Sequence, residues 1–165
     1  MTPAPMPADE DERLAALREL LLLDTPPEER FDRLARFAAD QLDTPIALLT
    51  LVDGQRQWFK SRVGVEATET PREISFCGHA ILKNELFVVE DASRDPRFAD
   101  NPLVTGDPHI RFYAGAPLSA PGGHRIGTLC VIDTVPRTLG TVERSILDAL
   151  RRLANETLAG QEDEE

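Results

Sequence analysis

The sequence predicts an α+β domain built on a mostly antiparallel sheet. Three observations predict it. Apolar residues recur at helical spacing at both ends of the chain. Two pairs of strand-like segments flank tight-turn dipeptides. A loop-rich stretch separates the pairs. With 165 residues and 41% hydrophobic content, the chain is one domain with enough apolar surface for a core.

The elements follow in order. Residues 1–11 are Pro-rich and acidic and are expected to be disordered. From Arg13, Leu14, Leu17 and Leu21 recur at helical spacing, to a stop near Asp24. Thr25-Pro-Pro-Glu28 reads as the start of a second helix, with Thr25 as cap, Pro26 in the first turn and Glu28 completing a capping box. That helix buries Phe31, Leu34, Ala35, Ala38 and Leu42 on one stripe, and Pro45 ends its reach. Ile46 to Val52 is apolar except at Thr50, as suits a strand covered on both faces. Asp53-Gly54 turns the chain into a return strand from Arg56 to Arg62. Alternation there puts Trp58 with Arg56 and Lys60, and Phe59 with Gln57 and Ser61. One of the two aromatics faces the core, and the other is a candidate partner contact.

Ser75 caps a short helix to about Leu82, and Phe87 to Val89 is a short strand. A long loop with helical turns covers Asp91 to Pro108. Ile110 to Leu118 and Arg125 to Asp133 form the second hairpin. A two-residue turn at Gly122-Gly123 would set Gly115 opposite Cys130. Thr141 caps the last helix, which runs to about Leu158 with Val142, Ile146, Ala149, Leu150 and Leu153 on one side. Residues 160–165 form an acidic tail.

Charge excludes some functions. The net charge is −11, and eight of the 29 acids lie in the runs Asp9–Glu12 and Glu162–Glu165. No basic stripe is present to neutralise phosphates, so no nucleic-acid partner is expected. No segment has the length of a membrane span, and the N-terminus lacks a positive region followed by an apolar one. A cytoplasmic location and reduced cysteines follow as expectations, with no membrane partner. Cys77 and Cys130 lack metal-ligand spacing, and no metal site is expected.

The candidate chemistry gathers in two places. Ile74-Ser-Phe-Cys-Gly-His-Ala-Ile81 joins Cys77 to His79. Either Cys77 is a thiol activated by an imidazole, or it is a small buried hydrophobe with His79 as a loop anchor. On a helix, residues two apart point away from each other, which argues against direct pairing. The second place is the loop from Asp91 to Tyr113. It interleaves Asp91, Asp95, Asp100 and Asp107 with Arg94, Arg97 and Arg111. Its carboxylates would hold a divalent cation or form internal ion pairs, and Asn101-Pro102 reads as a turn. Arg111 and Tyr113 share one strand face, with Ile110, Phe112 and Ala114 on the other. They form either the floor for an anionic or aromatic ligand or an anchor for the acidic loop.

These segments belong to an ordered series of motifs. The others are Asp24-Thr-Pro-Pro-Glu28, Arg56-Gln-Trp-Phe-Lys60, Asp95-Pro-Arg-Phe98, Asn101-Pro-Leu-Val104, Ile110-Arg-Phe-Tyr-Ala-Gly115 and Gly127-Thr-Leu-Cys-Val-Ile-Asp133. Together, from about Glu12 to Leu158, they resemble the GAF sensory domains of bacterial signalling proteins, which commonly precede diguanylate cyclase or histidine kinase modules. The resemblance implies a GAF domain over residues 12–159. Its central sheet would have about six strands, with terminal helices on one face and a loop-covered pocket on the other. It also implies a small-molecule ligand, a homodimer paired through terminal helices, and a kinase or cyclase as signalling partner.

The expected pocket residues are Phe76, Cys77, His79, Asp91, Arg97, Phe98, Asn101, Arg111, Tyr113 and Cys130. The expected function is a non-catalytic sensor, not an enzyme, with no cofactor named. Two alternatives stand beside it. One is a thiol-dependent reductase of the GAF methionine sulfoxide type, although that family uses a cluster of cysteines and this chain has two. The other is a tetrapyrrole or haem binder using His79 or His109, although the Cys-His dipeptide of covalent bilin attachment is interrupted by Gly78. The Asn-Lys, Phe, Asp-Glu signature of cyclic-nucleotide GAF domains is absent.

Overall fold

The computed structural model describes residues 1–160. Among the described residues there are five α-helices and six strands, with short 3-10 turns at Arg72–Ile74 and Ala92–Arg94. In order the helices and strands are α1 (Glu10–Glu19), α2 (Glu29–Leu42), β1 (Ile46–Val52), β2 (Arg56–Val63), β3 (Glu69–Pro71), α3 (Cys77–Ala80), β4 (Phe87–Val89), α4 (Pro102–Thr105), β5 (Phe112–Ser119), β6 (Arg125–Asp133) and α5 (Thr141–Ala159). The strands form one sheet in the order β3-β2-β1-β6-β5-β4. Every pairing is antiparallel, as expected for an α+β domain.

β1 and β6 are central and buried on both faces, which explains their near-continuous apolar runs. Alternation sends Ala47, Leu49 and Leu51 to one face, against α1, α2 and α5. Ile46, Leu48 and Val52 go to the other, under α3 and the loops. The predicted α2 stripe packs as expected: Phe31, Leu34, Ala35, Ala38 and Leu42 are all buried. Asp43 closes that helix in the left-handed conformation, which aspartate tolerates better than most residues.

The structure corrects several boundaries. α1 starts a turn early, at Glu10, which is clamped by Arg13 and Arg72, and it stops early, at Glu19, where the chain turns through Leu21 at φ 57°. Arg13 and Leu17 form its buried side, while Leu21 lies past its end, 80% exposed. Thr25 is not a cap. Its hydroxyl donates to the Leu22 carbonyl and accepts from Lys60 Nζ, and α2 begins only after Glu28. Lys60 is buried and ion-paired to Glu28 at 2.7 Å, so the expected capping carboxylate serves a charge instead. The cap of α5 is Gly140, and the helix turns Leu147, Leu150, Ala154 and Leu158 to the sheet. Val142 and Leu153, placed on one side with Leu150 by their spacing, are exposed, whereas Leu150 is buried.

The second hairpin has the expected register, with Gly115 opposite Cys130, and shifts by one residue at Leu118/Ser119. The Pro-rich start, expected to be disordered, runs without helix or strand to Glu10. It is tied down by the Thr2 amide donating to the Arg97 carbonyl. Of the expected acidic tail, residues 161–165 lie outside the described residues. No helix among the described residues is long and apolar enough to cross a membrane.

Candidate functional site

A cavity of about 480 Å³ lies on the sheet face opposite the terminal helices. Strand alternation builds its floor. Ile46 and Leu48 come from β1, Cys130 and Ile132 from β6, Tyr113 from β5, and Gln57 and Phe59 from β2. The walls are Val65–Thr70 on one side, Phe76 and Cys77 at the start of α3, and Leu103 to Ile110 on the other. Gly64 lets the first wall leave β2. Its φ is +86°, and a Cβ there would meet the Pro45 carbonyl at 2.1 Å. Gly115 shapes the floor, because the Tyr113 ring lies over it. A Cβ at Gly115 would sit 2.4 Å from the phenol oxygen.

A buried polar chain runs beneath this floor. Thr50 and Thr128 face each other across β1 and β6 and share a hydroxyl bond of 3.0 Å. Cys77 Sγ lies 3.1 Å from the Thr128 hydroxyl and 3.1 Å from that of Tyr113. Ser75 positions the cysteine. Its hydroxyl accepts from the Gly78 amide and donates to the Arg72 carbonyl, but Phe76 holds the N-cap position and α3 ends at Ala80, short of the expected Leu82. Burial pushes the Cys77 thiol up, but hydrogen bonds from Cys130, Thr128, Thr50 and Tyr113 outweigh it and bring it down to about 7. Cys130 moves the opposite way. Burial and the neighbouring Cys77 push it well up. Tyr113 is likewise raised, by burial and then by the two sulfurs. Both cysteines are free thiols.

Of the expected pocket residues, the fold brings Phe76, Cys77, Tyr113 and Cys130 together at the cavity. The others brace the structure around it. Phe98 stacks on the far side of Phe76, with ring centroids 4.0 Å apart. His79 points away from Cys77, packs edge-on against Phe98 and meets the Thr2 carbonyl through Nε2 at 2.9 Å. Burial lowers its pKa. Arg97 pairs with Asp95 and covers Phe87 and Phe98. Asp91 accepts from the Ser93 amide to close a turn. Asn101 is almost fully buried. It donates to the Ile74 carbonyl and accepts from the Leu103 amide at the start of α4.

Arg111 does not reach the floor. Its guanidinium donates to the carbonyls of Val104 and Ile110, which makes it a brace for the wall. The assigned faces fail here because β5 begins only at Phe112. Phe112 and Ala114 do face the helices, but Ile110 lies outside the alternation and joins the cavity side. His109 is exposed and is not part of the lining. The loop acids turn to separate partners: Asp91 to Arg94, Asp95 to Arg97 and Asp100 to the N-terminal ammonium. No cluster of three or more metal-ligating side chains occurs among the described residues.

Sequence reasoning missed Gln57, Phe59 and the wall from Val65 to Thr70. The alternation along β2 carried the first two, since it already placed Gln57 and Phe59 on one face. The wall has no periodic signal at all.

A family model described as "GAF domain" matches residues 26–158. The chain belongs to the GAF domain family. A cyclic di-GMP phosphodiesterase of Pseudomonas aeruginosa is 48% identical to it over 137 residues. That alignment takes in 83% of this chain and 23% of the relative, so the chain spans about a quarter of that protein's length. The GAF domain of an Acinetobacter phosphoenolpyruvate-protein phosphotransferase shares the fold at TM-score 0.64 and 18% identity, over 92% of this chain and 96% of that one. Free methionine-R-sulfoxide reductase of Neisseria meningitidis shares it at TM-score 0.62 and 18% identity, over 96% of each chain. The expectation that the protein is not an enzyme is overturned by the first of these, since the relative at 48% identity is named as one.

Proposed function

We propose that this GAF domain is the sensory part of a cytoplasmic enzyme of cyclic di-GMP turnover, and that a small molecule held in the cavity sets its signalling state. The cavity is the observation that carries the proposal. It is concave, mainly apolar and edged by a few fixed polar groups, as ligand sites are. The P. aeruginosa phosphodiesterase supports the context. The walls are loops, whereas the opposite face is packed helix, so a ligand ordering the walls can bias the domain without unfolding it. Native mass spectrometry of protein taken from its source cells tests this. A bound small molecule is expected in the wild type and absent in Ala67→Trp, which crowds the mouth. Wild-type protein of bare chain mass would overturn it.

The output surface proposed is α5, paired with α5 of a second copy and relaying to a kinase, cyclase or phosphodiesterase module. Val142, Ile146, Ala149 and Leu153 follow 4-3-4 spacing along a side of α5 that the core covers only in part, at Ile146. Val142 is 69% exposed and Leu153 50%. Ala149→Glu is expected to shift a dimeric light-scattering mass to a monomeric one while leaving the circular dichroism spectrum unchanged. A monomeric wild type at tens of micromolar would break this proposal.

A further inference from the structure

We propose that the cavity takes a neutral or cationic ring compound carrying a carboxamide-like hydrogen-bonding group for Gln57, and excludes anions, cyclic dinucleotides among them. This deepens the sensory proposal and rests on it.

The charge inventory excludes the anion. No lysine, arginine or histidine lines the cavity. Its only charged lining residues are Glu66 and Asp107, both exposed and both acidic. The cations adjacent in sequence to lining residues are spent elsewhere: Arg111 on the carbonyls of Val104 and Ile110, Arg56 on Asp24 and Lys60 on Glu28. A phosphodiester entering here would lose water and meet no compensating cation, while passing two carboxylates of its own sign. A neutral ligand avoids that cost, and a cation gains from the same carboxylates.

The lining sets the shape. Phe59, Phe76 and Tyr113 offer three aromatic surfaces, with Leu48 and Ile132 between them. Flat apolar rings fill such a space with offset or edge contacts.

Gln57 sets the polar end. It is 5% exposed, and its Nε2 is used by Thr70 Oγ1 at 2.6 Å. Its Oε1 is buried and has no hydrogen-bond partner. A buried amide oxygen left alone is costly, and Gln57 is one of the residues that line the cavity floor. Turning the amide over exchanges which end is left, acceptor or donor. A carboxamide satisfies either end, because it carries both functions.

Three probes of one skeleton test the proposal: 3-phenylpropanamide, 3-phenylpropylamine and 3-phenylpropanoate, with cyclic di-GMP as a fourth. Each is titrated into the whole chain while backbone amide shifts of Leu48, Tyr113 and Cys130 are followed. The amide and the amine are expected to bind at least about tenfold tighter than the carboxylate, and cyclic di-GMP is expected to leave these signals unmoved. Gln57→Leu should weaken the amide about tenfold. Gln57→Glu, which keeps size and polarity, should tighten the amine and weaken the carboxylate further. If the carboxylate or cyclic di-GMP binds the cavity as tightly as the amide, the inference fails and the sensory role stands. If neither Gln57 variant changes the ranking, Gln57 is not the anchor and the inference fails. If no probe moves the cavity signals, the inference and the sensory role fail together.

Discussion

The two faces of one sheet differ in how they are covered. On one face, α2 and α5 lay regular apolar stripes on β1, β5 and β6, and side chains such as Phe31, Leu49, Leu129 and Leu147 are wholly buried. On the other, loops and single helical turns cover the same strands. There an aromatic cluster of Phe76, Phe87, Phe98 and Tyr113 fills one half, and a cavity of about 480 Å³ occupies the other. Helices present evenly spaced ridges that interlock with a sheet. Loops satisfy their backbone groups by local turns, so their side chains cannot tile a surface completely. The first face holds the fold together, and the second leaves room for a ligand.

Adjacent residues on β1 provide the strongest way to break this comparison. Leu49 faces the helices and Leu48 faces the cavity, yet both are buried. Leu49→Ala is expected to cost about 3–5 kcal/mol in urea unfolding, because it opens a void in packed core. Leu48→Ala should cost only about 1–2 kcal/mol, because its methyl groups already border empty space. Equal losses would mean that the cavity side is as tightly packed as the helix side.

A second measurement probes the seam between the two faces. Glu10 on α1 bonds Arg13 and also Arg72, which leads into the cavity wall. Burial raises its carboxyl, but the two guanidinium groups outweigh burial and bring it from 4.5 to about 2. A folded-state value below the unfolded one gives stability that is complete above about 4.5 and lost as pH falls toward 2. Up to about 3 kcal/mol is expected to disappear across that window. Denaturation midpoints from pH 6 to pH 2 should therefore flatten in Glu10→Gln. An unchanged slope in that variant would show that the clamp contributes little.

The smallest expected effect sharpens the cavity side. Hydrogen bonds draw the Cys77 thiol below its usual value, so access and not thiol acidity is expected to limit its labelling. Cys77 is 2% exposed. Ellman's reagent is expected to label native protein far more slowly than protein unfolded in urea, with Cys77→Ser removing one equivalent only after unfolding. Rapid labelling of Cys77 in native protein would show the floor to be open and would favour thiol chemistry.

Much of this was legible in the amino-acid order. β1, β4 and β6 have the bounds their apolar runs imply, and the α2 stripe is the one that packs. Periodicity is a local property, and the sheet enforces it. Helix ends were less legible. Thr25, Pro26 and Glu28 form a good start signal, but Lys60, 35 residues from Thr25, takes the hydroxyl and the carboxylate for itself. The buried side of α5 was not legible for a similar reason. Two apolar faces lie on that helix, and only the sheet selects which is buried.

The sequence by itself determined the class of fold, the family and the segments that carry Phe76, Cys77, Tyr113 and Cys130, which the fold brings together at the cavity. The tertiary structure alone decided which charged side chains stay out of the cavity. Arg97 and Arg111 looked like ligand-binding cations, and both are consumed by Asp95 and by wall carbonyls. It also decided that Gln57 enters, its Oε1 without a partner. The physical reason is that a side chain's type is written locally, while its partners are assigned by segments far along the chain. A ligand site consists of what those assignments leave unpaired.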